Sequence, residues 1–559
     1  MKLDIFSTKS FKLNWLKTIL VMVIVIGVFL RFVNIDKKTY WTDEVFTSFR
    51  SSGFTELEVV QNLRARDTVS SEDLQKFQYS DSSKNYVDVV TSLAAEEPQH
   101  PPLYFLLAKP WVQAFGETIT SNRSIAVFAS LLALAATYWF CVELFGTSLS
   151  GLIAITLVAV SPFHFIYAQE AREYSLWTAT TLASCASLLY AMRVMRITAW
   201  ISYAALTCIS LYTFLFSIFV VVSHGIYVLA IEKFKLSKTF FSYLISTFVS
   251  ILLFAPWILV FVNKASHVNQ ITGGFKKLSG LSFYLTLIKE WIVNVSRLFV
   301  DLTSDSGSSS NISLLTVFLL IIVCAVWSLV LYSLYFLWKN TSKKVWLFIF
   351  SLIAINSLGL IIPDLIAGEN RSMISRYFIP ANLGIQMSVA YLFSVFLSDI
   401  YTQENFKFKP SVSKLIIIIT VIFLGLLSCL IISQLDVFRA KSYGKYNQLV
   451  SQVINNTSKP LVIFKGAPSE IISLSYTLDK KARIIVVPKC YTCFEPNVIE
   501  TDKISRLSDV LDNYSDIFLF ADNSLSPKLK EKYQVVDVPL VDGISGNRIN
   551  TYLWRLQKK

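Results

Sequence analysis

Apolar residues in this chain fall into runs of about twenty, separated by short polar breaks, and the first of these, residues 15–32, sets the scale. A helix needs roughly 20 apolar residues to cross the hydrocarbon core of a bilayer. Further runs cover 124–144, 149–167, 174–192, 200–216, 218–231, 241–262, 312–338, 345–362, 378–397 and 415–432, and each predicts a membrane helix. The piece at 101–115 is shorter and carries Lys109 and Pro110 inside it, so it is expected to be an interfacial or half-inserted helix. On this count the chain has about 11 spans, within a range of 11–13 if that piece or another crosses as well.

After residue 434 the pattern changes. Residues 435–559 hold 31 charged side chains, about a quarter of the segment, as in a soluble domain. Short β-rich runs, PLVIFKG, RIIVVP, DIFLFAD and YQVVDVPL, alternate with polar helical stretches such as PSEIISLSYTL and KISRLSDVLDNY. The expectation is a small α/β domain with a largely parallel sheet, and no Gly-rich phosphate loop follows any of its strands. The fold class is thus an α-helical polytopic membrane protein, 1–434, with a C-terminal soluble α/β domain, 435–559. Residues 34–100 and 263–311 are its two long outer loops.

Composition supports this and excludes alternatives. Of 559 residues, 54% are hydrophobic and 16% charged, too apolar for a disordered chain; 18 Gly and 15 Pro exclude collagen-like sequence, and 7 Cys a disulfide scaffold. The net charge of +13 sits in short loops, where it orients a membrane protein, so no nucleic-acid partner is inferred. Lys2, Lys9, Lys12 and Lys17 place the N-terminus in the cytoplasm. The same alternation puts Arg193 and Arg196, Lys233, Lys235 and Lys238, Lys339, Lys343 and Lys344, and Lys407, Lys409 and Lys414 on that side. An odd span count then leaves the C-terminal domain extracytoplasmic, in a plasma or inner membrane.

Four polar clusters fall on the outer face at span ends, where ionisable groups are costly. Asp43 and Glu44 follow the first span; the adjacent carboxylates can bind a metal or act as a general base, or the segment caps a helix with Thr42 or Asp43 at its N-terminus. In EEPQHPP, His100 stands in a stiff corner that suits either a helix start or an anion or proton relay. Gln169, Glu170, Arg172 and Tyr174 crowd a connection between spans where a hairpin needs only a turn. Arg371, Arg376 and Tyr377 lie at a later span mouth, where arginines neutralise a phosphate or extend to lipid headgroups.

These motifs together, DE after the first span, HPPLY before a short helix ending in FG, an Arg opening the next span, SPFHFIYAQEAREYS and a late RY, resemble family 39 membrane glycosyltransferases over about residues 15–400. That family belongs to the GT-C superfamily and includes protein O-mannosyltransferases and the lipid A aminoarabinose transferase. The resemblance implies a polyprenyl-phosphate sugar donor attacked with inversion by an acceptor hydroxyl of a lipid, glycan or protein. It makes Asp43 the candidate base with Glu44 beside it, and Glu170 a second acid that binds the acceptor or, with Asp43, a divalent metal ion. Arg172, Arg371 and Arg376 become candidate phosphate ligands, supported by His100, Gln169, Tyr174 and Tyr377. The aminoarabinose enzyme has a Lys near the second cluster and an Asp near the third, where this chain has His100 and Glu170.

A multi-pass transporter or lipid-linked sugar flippase is the alternative, but it usually places charge near mid-bilayer in repeated halves. A receptor or scaffold leaves the four clusters without a role. Cys490 and Cys493 form a C-x-x-C expected to close as a local disulfide; the other cysteines, and His164, His224 and His267, are expected to be structural.

Overall fold

The computed structural model describes residues 3–79, 81–272, 280–302, 314–402, 408–437, 441, 444–493, 508–525, 527–541, 548–549 and 552–559. The expected basic-loop residue Lys407, residues 273–279 and 303–311 of the second long loop, and the start of KISRLSDVLDNY lie outside them.

The apolar runs fold as helices close to their predicted bounds. They are α1 (Leu3–Leu30), followed after five shorter helices by α7 (Ile119–Phe145), α8 (Ser148–Ala159), α9 (Pro162–Ala168), α10 (Tyr174–Val194), α11 (Ile197–Thr213), α12 (Ser217–Ile231) and α13 (Lys238–Asn263). Then come α14 (Ala265–Thr272), α15 (Leu281–Ser296), α16 (Leu314–Asn340), α17 (Lys343–Ala367), α18 (Ile379–Thr402) and α19 (Phe408–Gln434). Local chemistry sets the ends: Thr118 and Thr147 accept the Ser121 and Ser150 amides, while Gly146 and Gly368 close α7 and α17 in the left-handed conformation.

Six described helices are long and apolar enough to cross a membrane, seven if α8 and α9 form one bent span. The expected count of about 11 is not reached on that measure. Part of the reason is chemical: α10 carries Ser175, Thr178, Thr180, Thr181, Ser184 and Ser187, buried against neighbouring helices, which lowers its hydropathy without exposing polar groups. Basic turn residues also meet partners at one end of the bundle, where Arg193 pairs with Glu143 and Lys414 with Asp399.

The run at 149–167, read as one straight span, is broken. α8 and α9 meet at 65° because Pro162 has no N–H and opens α9. The freed carbonyls find other donors: Arg31 Nη2 reaches Val158 O at 3.0 Å and Cys429 Sγ approaches Val160 O at 3.3 Å. α9 thereby turns out of line and presents Phe163, Ile166 and Tyr167 to a cavity.

Between α1 and α7 lie α2 (Thr42–Ser52), α3 (Glu56–Arg64), α4 (Ser71–Gln75), α5 (Tyr86–Glu96) and α6 (Leu103–Phe115). The polar tail adds α20 (Asn447–Asn455) and α21 (Pro468–Ser475) and the strands β1 (Pro460–Gly466), β2 (Arg483–Pro488), β3 (Asp516–Phe520), β4 (Tyr533–Asp537), β5 (Leu540–Val541), β6 (Arg548–Ile549) and β7 (Leu553–Lys558). The main sheet runs β2-β1-β3-β7-β4, and β5 pairs with β6. β2, β1 and β3 are parallel, but β7 is antiparallel to both its neighbours, so the sheet is mixed where a largely parallel one was expected. The last strand, LWRLQK, enters between β3 and β4 because Leu553 and Leu556 supply apolar residues to opposite faces.

The tail and the first outer loop form one core. Val462, Phe464, Ile484 and Phe518 on one sheet face pack with Tyr40, Val45, Phe49, Val59 and Leu63. Val69 and Ile484 exchange backbone hydrogen bonds at 2.8 and 2.9 Å. The other face carries Leu461, Ile463, Ile485 and Leu519 against Leu525 and Leu529. The composition break at 434/435 is therefore not a break in packing, and loop and tail lie on the same side of the bundle.

Two glycines let helices reach the α8–α9 break. A Cβ on Gly27 would stand 2.7 Å from Ala159 O, and one on Gly425 2.7 Å from Val160 O. Gly425→Val is expected to destabilise the protein by about 1–3 kcal/mol through overpacking, seen as a lower thermal midpoint in detergent micelles. An unchanged midpoint contradicts that close approach.

Candidate active site

The first helix beyond the membrane presents two adjacent carboxylates to different surroundings. α2 begins after Trp41, so neither Thr42 nor Asp43 is its N-cap; Glu44, in the first turn, accepts the Trp41 amide instead. Glu44 is fully buried. Arg123 from α7 donates Nε to its Oε1 at 2.8 Å and Nη2 to its Oε2 at 2.7 Å, and the Ala171 amide adds a bond to Oε1 at 2.9 Å. Both oxygens are committed, so Glu44 orients α2 and is not a second base. Asp43, one residue earlier, is half-buried, and its Oδ2 lies 3.8 Å from Arg376 Nη2.

The connection 169–173 holds the other groups. Gln169 donates to the carbonyls of Arg31 and Val33 at 3.2 and 2.8 Å and accepts Lys38 Nζ at 2.9 Å; it closes the end of α1 and does not face a ligand. Lys38 is held down at about 7 by burial and then by the neighbouring Arg123 charge. Arg172 donates to Asp43 O and Thr47 Oγ1 and stands against Glu173 and His100. His100 Nδ1 is 2.9 Å from Glu173 Oε1. Burial pushes the Glu173 carboxyl up, but Arg172 and His100 overcome it and hold the group at about 2. The trio His100–Arg172–Glu173 thus braces the backbone of α2 beneath Asp43.

Glu170 is fully buried with Oε1 3.3 Å from Lys441 Nζ, while its Oε2 has no hydrogen-bond partner. Burial raises its pKa, opposed by the charges of Lys441 and Arg376. Lys441 is lowered to about 8, by burial first, with Glu170 opposing and Arg376 assisting.

Beside these residues is a cavity of about 180 Å³. Its apolar wall is α9, with Met373 and Ile374 opposite; its cations are Arg297 from the end of α15, Arg376 and Lys441. Nε of Arg297 and Nε of Arg376 are buried without hydrogen-bond partners. Arg376 is flanked by aromatic faces, Tyr174 at 5.3 Å and Tyr377 at 5.5 Å from the guanidinium carbon. Glu290, Asp301, Asn294 and Ser375 are its other polar lining residues.

The structure therefore brings Asp43, Glu170, Arg172, His100, Tyr174, Arg376 and Tyr377 into one neighbourhood. Arg371 is not part of it: it pairs with Glu369 at 3.0 Å, is not among the residues lining the cavity, and so is no candidate phosphate ligand here. Sequence reasoning missed Lys441, Arg297 and Glu173. Glu173 lay within a quoted motif; Arg297 and Lys441 lie in polar stretches with no spacing signal.

A divalent ion does not suit Asp43 and Glu170 as arranged. Each already faces a cationic side chain, Arg376 or Lys441, and among the described residues no third His, Cys, Asp or Glu ligand atom converges with them.

The Arg123–Glu44 pair generates a prediction. Glu44→Gln leaves a buried arginine without its counter-charge and is expected to cost about 3–5 kcal/mol, whereas the half-buried Asp43→Asn should cost under about 1 kcal/mol. Thermal unfolding of both variants in the same detergent checks this; equal losses refute the division of roles.

No protein-family model matches the chain, and no curated protein matches it. Among solved structures, the archaeal oligosaccharyltransferase AglB from Archaeoglobus fulgidus, in complex with an inhibitory peptide and a dolichol-phosphate, is similar over 97% of this chain and 75% of that one. Its TM-score is 0.51 at 12% identity. ArnT from Cupriavidus metallidurans aligns over 97% of this chain and 98% of its own at 12% identity, with a TM-score of 0.47 bound to undecaprenyl phosphate and 0.48 in the apo state. At such identity the likeness concerns architecture alone: the chain has a fold like that of the oligosaccharyltransferase AglB.

Proposed function

We propose that this chain is an integral membrane glycosyltransferase that moves a sugar from a polyprenyl-phosphate donor to an acceptor hydroxyl, with inversion, on the extracytoplasmic face. The observation that carries the reading is the placement of Asp43 against Arg376, at the edge of a cavity that is cationic on one side and apolar on another. A lipid phosphate needs both: charge for its head and an apolar path for the first carbons of its tail.

In this reading Arg376, Arg297 and Lys441 receive the phosphate. Their unpaired guanidinium N–H groups and the ammonium match its developing charge as the bond from the anomeric carbon to the phosphate oxygen breaks. Asp43 accepts the proton of the acceptor hydroxyl as its oxygen bonds that carbon from the opposite side. One in-line displacement inverts the centre and releases polyprenyl phosphate. Glu170 acts through Lys441, holding the ammonium at the cavity. Arg172 and His100 position the Asp43 backbone through Thr47 and Glu173. No step uses a metal ion, since both acids already have cationic partners. The outer location rests on the basic turns at the opposite ends of the helices and on the joint core of tail and first loop. The acceptor is a hydroxyl of a lipid, glycan or protein.

Incubation of the purified protein with a panel of polyprenyl-phosphate sugars should release free polyprenyl phosphate. Asp43→Asn is expected to lower that rate about 10²- to 10⁴-fold with folding intact. Full activity in the variant removes Asp43 from the base role.

Lys441 gives the site a pH dependence. It is held at about 8 in the free protein, and a bound phosphate favours the ammonium, so the bound pKa is higher. Affinity for polyprenyl phosphate should be full below pH 8 and decline as pH rises from there through the bound value. Titration calorimetry across pH 7–10 checks the sign; Lys441→Gln should weaken binding about tenfold or more at pH 7 and remove the decline. An affinity that rises with pH contradicts the assignment.

A further inference from the structure

Away from the cavity, the C-x-x-C of the tail rests on the first outer loop in a way a structural staple does not require. Cys490 and Cys493 are disulfide-bonded with Cα atoms 5.4 Å apart, and the Cys493 amide donates to Cys490 Sγ at 3.2 Å. The two residues between them are both fastened to Glu56: the amides of Tyr491 and Thr492 reach its Oε2 at 3.0 and 2.6 Å, and Thr492 Oγ1 lies 2.7 Å from the same oxygen. The other oxygen, Oε1, is buried and has no hydrogen-bond partner. The Glu56 carboxylate and both sulfurs lie within 4.8 Å of one another.

A buried carboxylate oxygen without a partner is costly unless it meets a proton, and this carboxylate lies beside the two sulfurs. In the reduced state one of those sulfurs carries such a proton. Cys490 is partly exposed beside Tyr491, which is 58% exposed, so its sulfur is open to a small attacking group, and the Cys493 amide is placed to stabilise a Cys490 thiolate. The remaining cysteines, Cys141, Cys185, Cys208, Cys324 and Cys429, are unpaired and lie in helices of the bundle.

We propose that Cys490 and Cys493 form a thiol–disulfide exchange site for a low-molecular-weight thiol, with Glu56 as the group that passes a proton to and from the Cys493 sulfur. The thiolate of the incoming molecule attacks Cys490 Sγ, the bond between the two cysteine sulfurs breaks, and the Cys493 sulfur leaves with the electron pair and takes the proton of the Glu56 carboxyl. A second molecule of the thiol attacks its own sulfur in the mixed disulfide, and Cys490 leaves as a thiolate against the Cys493 amide. Two external thiols become one external disulfide and the protein pair is reduced. Glu56 regains its proton from those given up by the incoming thiols. This exchange is independent of sugar transfer.

The charged groups facing Glu56 allow it to titrate near neutrality. Burial raises it to about 7, against hydrogen bonds from Thr492 and Tyr491 and the charge of Arg50. Arg50, on α2, is itself neutralised by Glu96, the last residue of α5, and by Glu97 just after it, both at 2.7 Å, and Glu96 also accepts the Glu56 and Leu57 amides. With Arg50 so engaged, its pull on Glu56 is shared.

The test uses the full-length protein in detergent micelles with glutathione as the thiol, and counts reactive cysteines by mass-tagging with a maleimide polymer. Two tags beyond those of the untreated protein should appear under native conditions with the circular dichroism spectrum unchanged. The rate constant divided by the thiolate concentration should fall about tenfold from pH 6 to pH 8, as the Glu56 carboxyl loses its proton. Glu56→Gln, which keeps an acceptor for the Thr492 and Tyr491 amides, should flatten that profile and lower the rate at pH 6. A flat profile in the unmodified protein, or reduction only on unfolding, overturns the proposal; the profile decides even if the variant does not fold.

Discussion

One buried guanidinium organises the end of the bundle that carries the tail. Arg123 uses all five of its N–H donors: two on Glu44 and three on the carbonyls of Ile35, Lys38 and Thr39, with bonds of 2.7–3.0 Å. Those partners belong to the stretch leaving α1 and to the start of α2, and Glu44 extends the knot to the 169–173 connection through the Ala171 amide. A buried ion pair adds little net stability, because desolvation offsets the attraction. What it supplies is geometry, since each unmade bond would leave a buried polar group unsatisfied. Asp43 is held at the edge of the cavity because its neighbour in sequence cannot move.

The charge distribution around that knot divides into satisfied and unsatisfied parts. Glu44, Gln169 and Arg50 are saturated by protein partners and behave as framework. Arg297, Arg376 and Glu170 each retain a buried polar atom without a hydrogen bond, and they surround or border the same space. Buried polar groups in folded proteins are nearly always paired. Two unpartnered guanidinium N–H groups on one cavity, beside the Lys441 ammonium, are what suits that space to an anionic ligand.

The fused core of tail and loop explains how a site can be assembled from segments 400 residues apart. The β1–β2–β3 face that buries Val462, Phe464 and Ile484 needs an apolar partner, and α2, α3 and the loop near Val69 provide it. The tail therefore holds α2 from above while Arg123 holds it from below, and Lys441 enters the cavity from the linker between the last long helix and the sheet.

Much of this was legible from residues alone. Most helices follow the apolar runs within about five residues, while α1 and α19 start well before theirs, because helix formation depends on neighbours three and four positions away and on caps such as Thr118, Thr147 and Gly146. The strands β1–β4 were visible in the same way. So were the clusters around Asp43, His100, Glu170 and Arg376, because ionisable groups at span ends stand out against an apolar chain. The bend at Pro162 was written in the sequence but read past, since a hydropathy run does not register a lost hydrogen bond. Which of two adjacent acids is spent on Arg123, that Arg371 pairs with Glu369, that Lys441 meets Glu170, and that LWRLQK inserts between β3 and β4 are matters of long-range packing. Sequence decided where each segment is apolar or charged, because that is a property of its own residues; only the tertiary structure decided which charges meet, because pairing depends on distances between groups hundreds of residues apart.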